Sequence, residues 1–381
     1  MQKKILIITR NLPPLIGGME RLNWHIADEL SNEYDVTIIS HTQAQKTAPS
    51  KVKCYAVPLN PLPLFLVLAF IQTFWICITQ RPDILFAGSG LTAPIAVFWA
   101  KIFRKKSMVY IHGLDIGTDN KLYNTLWIPF IQNATRVIAN SSPTYDICTR
   151  KAVKQDKLTI IHPGVSYPPK NPNVQLIQQL KQQYQLHDKK ILISVGRLTN
   201  RKGLNEFIDF SFSEIVKHVP NAILVIIGDT PNQSLNKNLQ SKELILSTAK
   251  KHHIENHIIF TGNIRDDDIL SSFYDLADLH IFPVKHIPED PEGFGMVAIE
   301  AAAHGTPTIA FATGGIVDAV KQNSTGFLIQ NADYDAFSAR TIELLQQKII
   351  IPATDCQEYA EQFAWSHLVE QFNPLIKSLD Q

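Results

Sequence analysis

The chain has 381 residues, 45% hydrophobic and 19% charged, with a formal net charge of +1. That length exceeds one ordinary core and the composition is that of a soluble globular protein, so two domains are expected and a disordered or fibrous chain is excluded. Cys54, Cys77, Cys148 and Cys356 lack paired metal-ligand spacing, and the apolar run Ile5-Leu6-Ile7-Ile8 is too short for a signal peptide; both features point to a reducing cytoplasm.

Strand-like apolar runs alternate with helical stretches at 4–9, 36–40, 84–87, 107–111 and 137–140, the rhythm of parallel α/β units. A proline-containing stretch, Ile161-His162-Pro163-Gly164-Val165-Ser166-Tyr167-Pro168-Pro169, interrupts it and reads as a linker. The alternation restarts at 190–195, 222–228, 257–261, 279–282 and 308–310. The fold class expected is therefore α/β, with two doubly wound Rossmann-like domains, 1–165 and 166–363, facing each other across a cleft and hinged near 163–170. The segment 363–372 has helical spacing and lies beyond the material of the second sheet.

Charge divides along the same line, with 18 Lys+Arg against 10 Asp+Glu up to residue 165 and 18 against 25 beyond it. Lys101, Arg104, Lys105 and Lys106, then Arg150, Lys151, Lys154 and Lys157, are either solvated helix faces or a surface for anionic lipid or a phosphorylated acceptor. Residues 62–78 contain no charge and approach the roughly 20 residues of a bilayer span. Pro61 and Pro63 at the start, and Gln72 and Thr73 in the middle, favour a helix of the first domain, with a shallow membrane contact left open.

Candidate chemistry lies in loops after strands. Gly17-Gly18 leaves room for close backbone approach to a ligand but lacks the spacing Gly-x-Gly-x-x-Gly, which disfavours a dinucleotide-dependent dehydrogenase. His112 and Asp115 follow the strand at 107–111, where such sheets bind ligands. Arg197 and Lys202, in Gly196-Arg197-Leu198-Thr199-Asn200-Arg201-Lys202-Gly203, are two cations suited to a diphosphate leaving group. Asp266-Asp267-Asp268 invites a metal reading, yet it precedes Ile269, Leu270, Phe273, Tyr274 and Leu276 and reads better as a helix cap.

The most informative run is Glu292-Gly293-Phe294-Gly295-Met296-Val297-Ala298-Ile299-Glu300. A glycine-rich turn opening a small-residue helix suits a phosphate, and carboxylates accept hydrogen bonds from sugar hydroxyls, so the ligand suggested is a nucleotide sugar. Residues eight apart lie roughly 12 Å apart along a helix, so one glutamate cannot serve both ends.

This run resembles the donor-site signature, glutamate then seven residues then glutamate, of the retaining glycosyltransferases of family 4. The resemblance extends over nearly the whole chain and is strongest from 190 to 330. It implies a GT-B fold and transfer of a sugar from a UDP- or GDP-linked donor to a hydroxyl of a glycan or lipid-linked acceptor, as in bacterial surface polysaccharide synthesis. It further implies a helix near 364–381 crossing back onto the first domain. By the same resemblance Glu292 contacts the donor sugar, the backbone of Gly293, Phe294, Gly295, Met296 and Val297 holds sugar and phosphates, and Glu300 accepts from the ribose. Arg197 and Lys202 clamp the diphosphate in place of a metal, His112 reaches toward the transferred sugar, and Gly17, Gly18, Asp115, Gly196, Asn263 and Ile264 complete the donor site. No cofactor and no nucleic-acid partner is expected, and anionic membrane is a candidate contact. The alternatives are a sugar-nucleotide epimerase of the same fold and a non-catalytic nucleotide-sugar-binding subunit.

Overall fold

The computed structural model describes residues 2–168, 172–230, 240–287 and 290–380. They form two compact units. One comprises Met1–Gly164, Pro288–Phe294 and Ala364–Gln381, and the other Val165–Ile287 and Gly295–Phe363. Pro169 and Lys170, part of the expected hinge, lie outside the described residues.

In the first unit β1 (Lys4–Ile8), β2 (Asp35–His41), β3 (Lys53–Val57), β4 (Ile84–Ala87), β5 (Lys106–Ile111), β6 (Arg136–Ala139) and β7 (Leu158–Ile160) form one sheet, ordered β3-β2-β1-β4-β5-β6-β7. All its pairings are parallel, with Leu6 opposite Thr37 on one side and Leu85 on the other. Strands such as Lys-Ile-Leu-Ile-Ile are apolar on both faces because helices cover both faces. These helices include α1 (Gly18–Leu30), α2 (Leu62–Thr79) and α3 (Ala93–Ile102). α1 buries Leu22, Ile26 and Leu30 at helical spacing, and α2 buries Phe65, Ala69, Thr73, Ile76 and Cys77.

α2 is the one helix among the described residues long and apolar enough to cross a membrane. The strands that flank it in the chain, β3 and β4, belong to one sheet, and its buried stripe joins that sheet's core with Leu6, Leu85 and Val109. A crossing would tear the sheet, so α2 acts as a covering helix.

The second unit repeats the pattern. Strands β8 (Lys190–Val195), β9 (Ala222–Ile227), β10 (Ile258–Gly262), β11 (Leu279–Phe282), β12 (Thr308–Phe311) and β13 (Gly326–Ile329) are parallel in the order β10-β9-β8-β11-β12-β13. Among its helices are α4 (Asp267–Leu276) and α5 (Met296–Ala303). The triple aspartate resolves as a cap: Asp266 Oδ1 accepts from the backbone N–H groups of Asp268 and Ile269 at 2.9 and 3.1 Å.

In both sheets the order reverses beside the first strand, between β1 and β4 and between β8 and β11, which opens a crevice at the strands' carboxyl ends for a ligand. The last helix, α6 (Leu368–Lys377), belongs to the first unit. It is held there by Phe372 against Phe86, by Tyr34 Oη donating to Asn373 Oδ1 at 2.6 Å, and by Trp365 stacked on His25 with centroids 4.1 Å apart.

Candidate functional site

In the first unit the candidates gather at the carboxyl ends of β1, β4 and β5. Gly17 caps α1, and Gly18 is the helix's first, exposed residue. A Cβ at Gly17 would collide with the Glu20 carboxylate, whose other oxygen accepts from Asn11 Nδ2 at 2.7 Å. His112 follows β5 directly and is buried. Its Nε2 lies 2.8 Å from the Gly88 carbonyl, which can only accept, so the neutral ring carries its proton there and presents Nδ1 as an acceptor. Asp115 braces the loop: Oδ1 accepts from the N–H groups of His112 and Gly113 at 2.8 and 3.1 Å, and Oδ2 from Gly90 N–H at 2.8 Å.

The first half of the glutamate signature packs onto this same edge. Gly293 lies so close that an added Cβ would sit 2.5 Å from the His112 carbonyl oxygen and 2.7 Å from Asn140 Nδ2. Asn140 Nδ2 donates to that carbonyl at 3.2 Å, and Phe294 stacks on His162 at 5.1 Å. Glu292, half-buried, is thus brought into the neighbourhood of His112 by a backbone contact that only glycine permits.

The second unit holds the remaining candidates at the carboxyl ends of β8, β10 and β11. Gly196, at φ 139°, ends β8 and is followed by exposed Arg197. A short turn, Asn200–Lys202, then closes on Gly203 at φ 66°, where a Cβ would strike the Pro283 carbonyl. This turn lays the Lys202 ammonium 4.5 Å from the centre of the Phe282 ring. Asn263 and Ile264, after β10, line an open cavity of about 410 Å³ with Leu180, Tyr184 and Ile269 among others.

Gly295, in the left-handed region at φ 89°, starts α5, and a Cβ there would press on Phe282 at 3.0 Å. Met296 and Val297 form the first turn of α5, where N–H groups lack intrahelical acceptors. Glu300, one turn further, is buried, and its Oε2 accepts from Tyr274 Oη at 2.9 Å. Tyr274 is itself fixed: its ring stacks on His304 at 5.3 Å, and His304 Nδ1 lies 2.6 Å from Asp275 Oδ1. Tyr274, Asp275, His304 and Asn140 were absent from the candidates read in sequence. Nothing local marks them, because Tyr274 looks like any apolar position of α4 and its partner lies 26 residues away.

Beneath this site His280, in β11, is fully buried between Tyr274 and Phe282. Its Nδ1 meets Thr308 Oγ1 at 3.1 Å, and Nε2 has no partner among the described residues. Burial, and secondly the Lys202 charge, lower its pKa from 6.5 to about 3. The ring is neutral when folded and takes up a proton when unfolded below pH 6.5, so stability is full above that value and declines as pH falls toward 3. The slope expected from this group is about 1.4 kcal/mol per pH unit. Urea denaturation across that window should show the slope in the wild type and lose it in His280→Asn; equal slopes would refute the assignment.

Comparison with known proteins gives two adjoining family matches. Residues 16–167 match Glycosyltransferase Family 4, and residues 177–363 match Glycosyl transferases group 1. Among curated relatives, a GDP-mannose-dependent alpha-(1-6)-phosphatidylinositol monomannoside mannosyltransferase of Mycolicibacterium smegmatis is 24% identical, with 90% of this chain and 89% of that one aligned. The capsular polysaccharide biosynthesis glycosyltransferase CapM of Staphylococcus aureus is also 24% identical, over 98% and 97%. Among solved structures, Anabaena Alr3699/HepE in complex with UDP superposes with a TM-score of 0.78 at 19% identity, covering 99% of this chain and all of that one.

Proposed function

The chain belongs to the family 4, group 1 glycosyltransferases and is a nucleotide-sugar glycosyltransferase, and from that premise we propose that it transfers a hexosyl group, with retention, from a UDP- or GDP-sugar to a hydroxyl of a lipid-linked or glycan acceptor. The observation that carries the donor reading is Glu300, a carboxylate buried in α5 one turn beyond the glycine-rich start of that helix, with Oε2 accepting from Tyr274. Arg197 and Lys202 neutralise the departing diphosphate, with no step assigned to a metal. Glu292 and the Nδ1 of His112 orient hydroxyls of the transferred sugar, while Gly17, Gly18, Gly196, Asn263, Ile264 and the backbone from Gly293 to Val297 complete the donor's surroundings. Asp115 acts through the loop it braces and is a positioning residue. Relatives named as a phosphatidylinositol monomannoside mannosyltransferase and a capsular polysaccharide biosynthesis glycosyltransferase support an acceptor of that chemistry.

The test is calorimetric binding of UDP, GDP, ADP and CDP in EDTA. One nucleotide should bind preferentially, and Glu300→Ala should weaken it about 10- to 100-fold, the loss of a charge-assisted hydrogen bond to a buried group. Tyr274→Phe should raise the donor KM about fivefold with kcat little changed, because it removes one hydrogen bond that orients the carboxylate while leaving the charge. Nucleotide affinity unaltered in Glu300→Ala would remove the basis for the site.

A further inference from the structure

We propose that the outward face of α2, together with the end of α3, seats the first unit on an anionic lipid bilayer. α2 is apolar on both sides. Its inner stripe covers the sheet, whereas Leu64, Val67, Ile71, Trp75 and Ile78 recur at spacings of three and four residues and are all exposed, Val67 and Trp75 at 55%. The exposed Phe98 and Ile102 of α3 extend the patch, with Phe98 5.3 Å from Phe70 of α2. Scattered exposed apolar side chains need no explanation, but a continuous stripe of this kind, with an indole in it, matches a helix lying at the depth of lipid headgroups.

The patch has a cationic border. Between residues 54 and 106 the bases are Arg81, Lys101, Arg104, Lys105 and Lys106, while the single acid is Asp83. Asp83 is engaged, accepting from Lys4 N–H at 3.0 Å and pairing with Lys105 at 3.4 Å. Where the apolar stripe ends, a cavity of about 360 Å³ is lined by Cys77, Ile78, Pro82 and Phe103 and by the two cations Arg81 and Lys105. An acyl-bearing phosphodiester satisfies both linings, with glycerol and chain against the apolar wall and phosphate between the cations. A second copy of the chain fits worse, since a two-fold contact through this patch would set Arg81, Lys101 and Arg104 near their own symmetry mates.

The experiment is flotation of the full chain with phosphatidylcholine vesicles, with and without phosphatidylglycerol. The wild type should bind the mixed vesicles more tightly, and salt should weaken that preference. The double variant Ile71→Ser, Trp75→Ser should lose binding to both vesicle types. The double variant Arg81→Gln, Arg104→Gln should lose the preference, by roughly 25-fold if each cation contributes about fivefold. All four side chains are exposed, so melting and nucleotide binding should stay as in the wild type. Equal binding to both vesicle types, or unaltered preference in the arginine variant, would overturn the proposal. So would a wild-type dimer, seen by sedimentation without lipid, that the Ile71 and Trp75 changes dissociate. Nucleotide binding is read separately, so a chain that floats yet binds no nucleotide would count against the transferase chemistry and leave the surface standing.

Discussion

Lys202→Ala is expected to lower kcat about 100- to 1,000-fold while changing nucleotide affinity far less. The ammonium is placed by backbone rather than by chance: the turn at 200–202 can close only because Gly203 adopts φ 66°, and the side chain then runs past Gly196 to lie over Phe282. A cation held in advance at the carboxyl ends of β8 and β11 needs no reorganisation when charge accumulates on a leaving diphosphate. Such preorganised charge is worth several kcal/mol in a site shielded from water. Because the charge to be stabilised grows in the transition state, the loss belongs mainly in kcat and only secondarily in donor affinity. Lys202→Arg should recover part of the rate, since it keeps the charge but spreads it over a planar fork. Steady-state kinetics with each cognate substrate saturated in turn will separate the terms, and a kcat near wild type in Lys202→Ala would dispose of the leaving-group role.

The second large effect is expected from a single methyl group. Gly293→Ala places a Cβ 2.5 Å from the His112 carbonyl and 2.7 Å from Asn140 Nδ2, neither of which can withdraw without dragging the end of β5 or breaking the Asn140 bond. The segment must lift instead, carrying Glu292 and Phe294 with it. With Glu292 in the role proposed for it, a displacement of its carboxylate by about 1 Å costs on the order of 100-fold in kcat/KM. The effect should fall on turnover and donor-sugar discrimination, with bare nucleotide diphosphate still bound through Glu300. Near-normal kcat/KM in Gly293→Ala would show that the close approach has no catalytic consequence.

How much of this was readable in the chain depends on how local the determinants are. Central strands such as 190–195 and 279–282 announce themselves because both faces are covered and every position can be apolar. β3, β7 and β13 were not read. They stand at or beside sheet edges, β7 is three residues long, β3 mixes Lys53 with half-buried Cys54 and Tyr55, and β13 opens on Gly326. α2 was ambiguous for a physical reason: both its faces are apolar, so periodicity cannot say which one meets the sheet. The candidate residues in loops after strands stand out through glycines and charges at fixed offsets. The Tyr274 bond to Glu300, the brace made by Asp115 and the Gly88 carbonyl on His112 do not, because each joins segments whose proximity exists only once the sheet has formed.

Apart from 290–294, which belong with the first unit, the long stretch of the second unit begins and ends at one place. Val165 N–H donates to the Phe363 carbonyl at 2.7 Å, so the two ends of the long stretch are tied to each other, and on the other side Gly164 makes room for the ring of Trp365. In topological terms this stretch is an insert whose two ends are joined to each other, with one further loan of chain to the host in its middle. Exchange of 165–363 between relatives therefore has to preserve the Val165–Phe363 tie, the room that Gly164 leaves for Trp365 and the fit of 290–294.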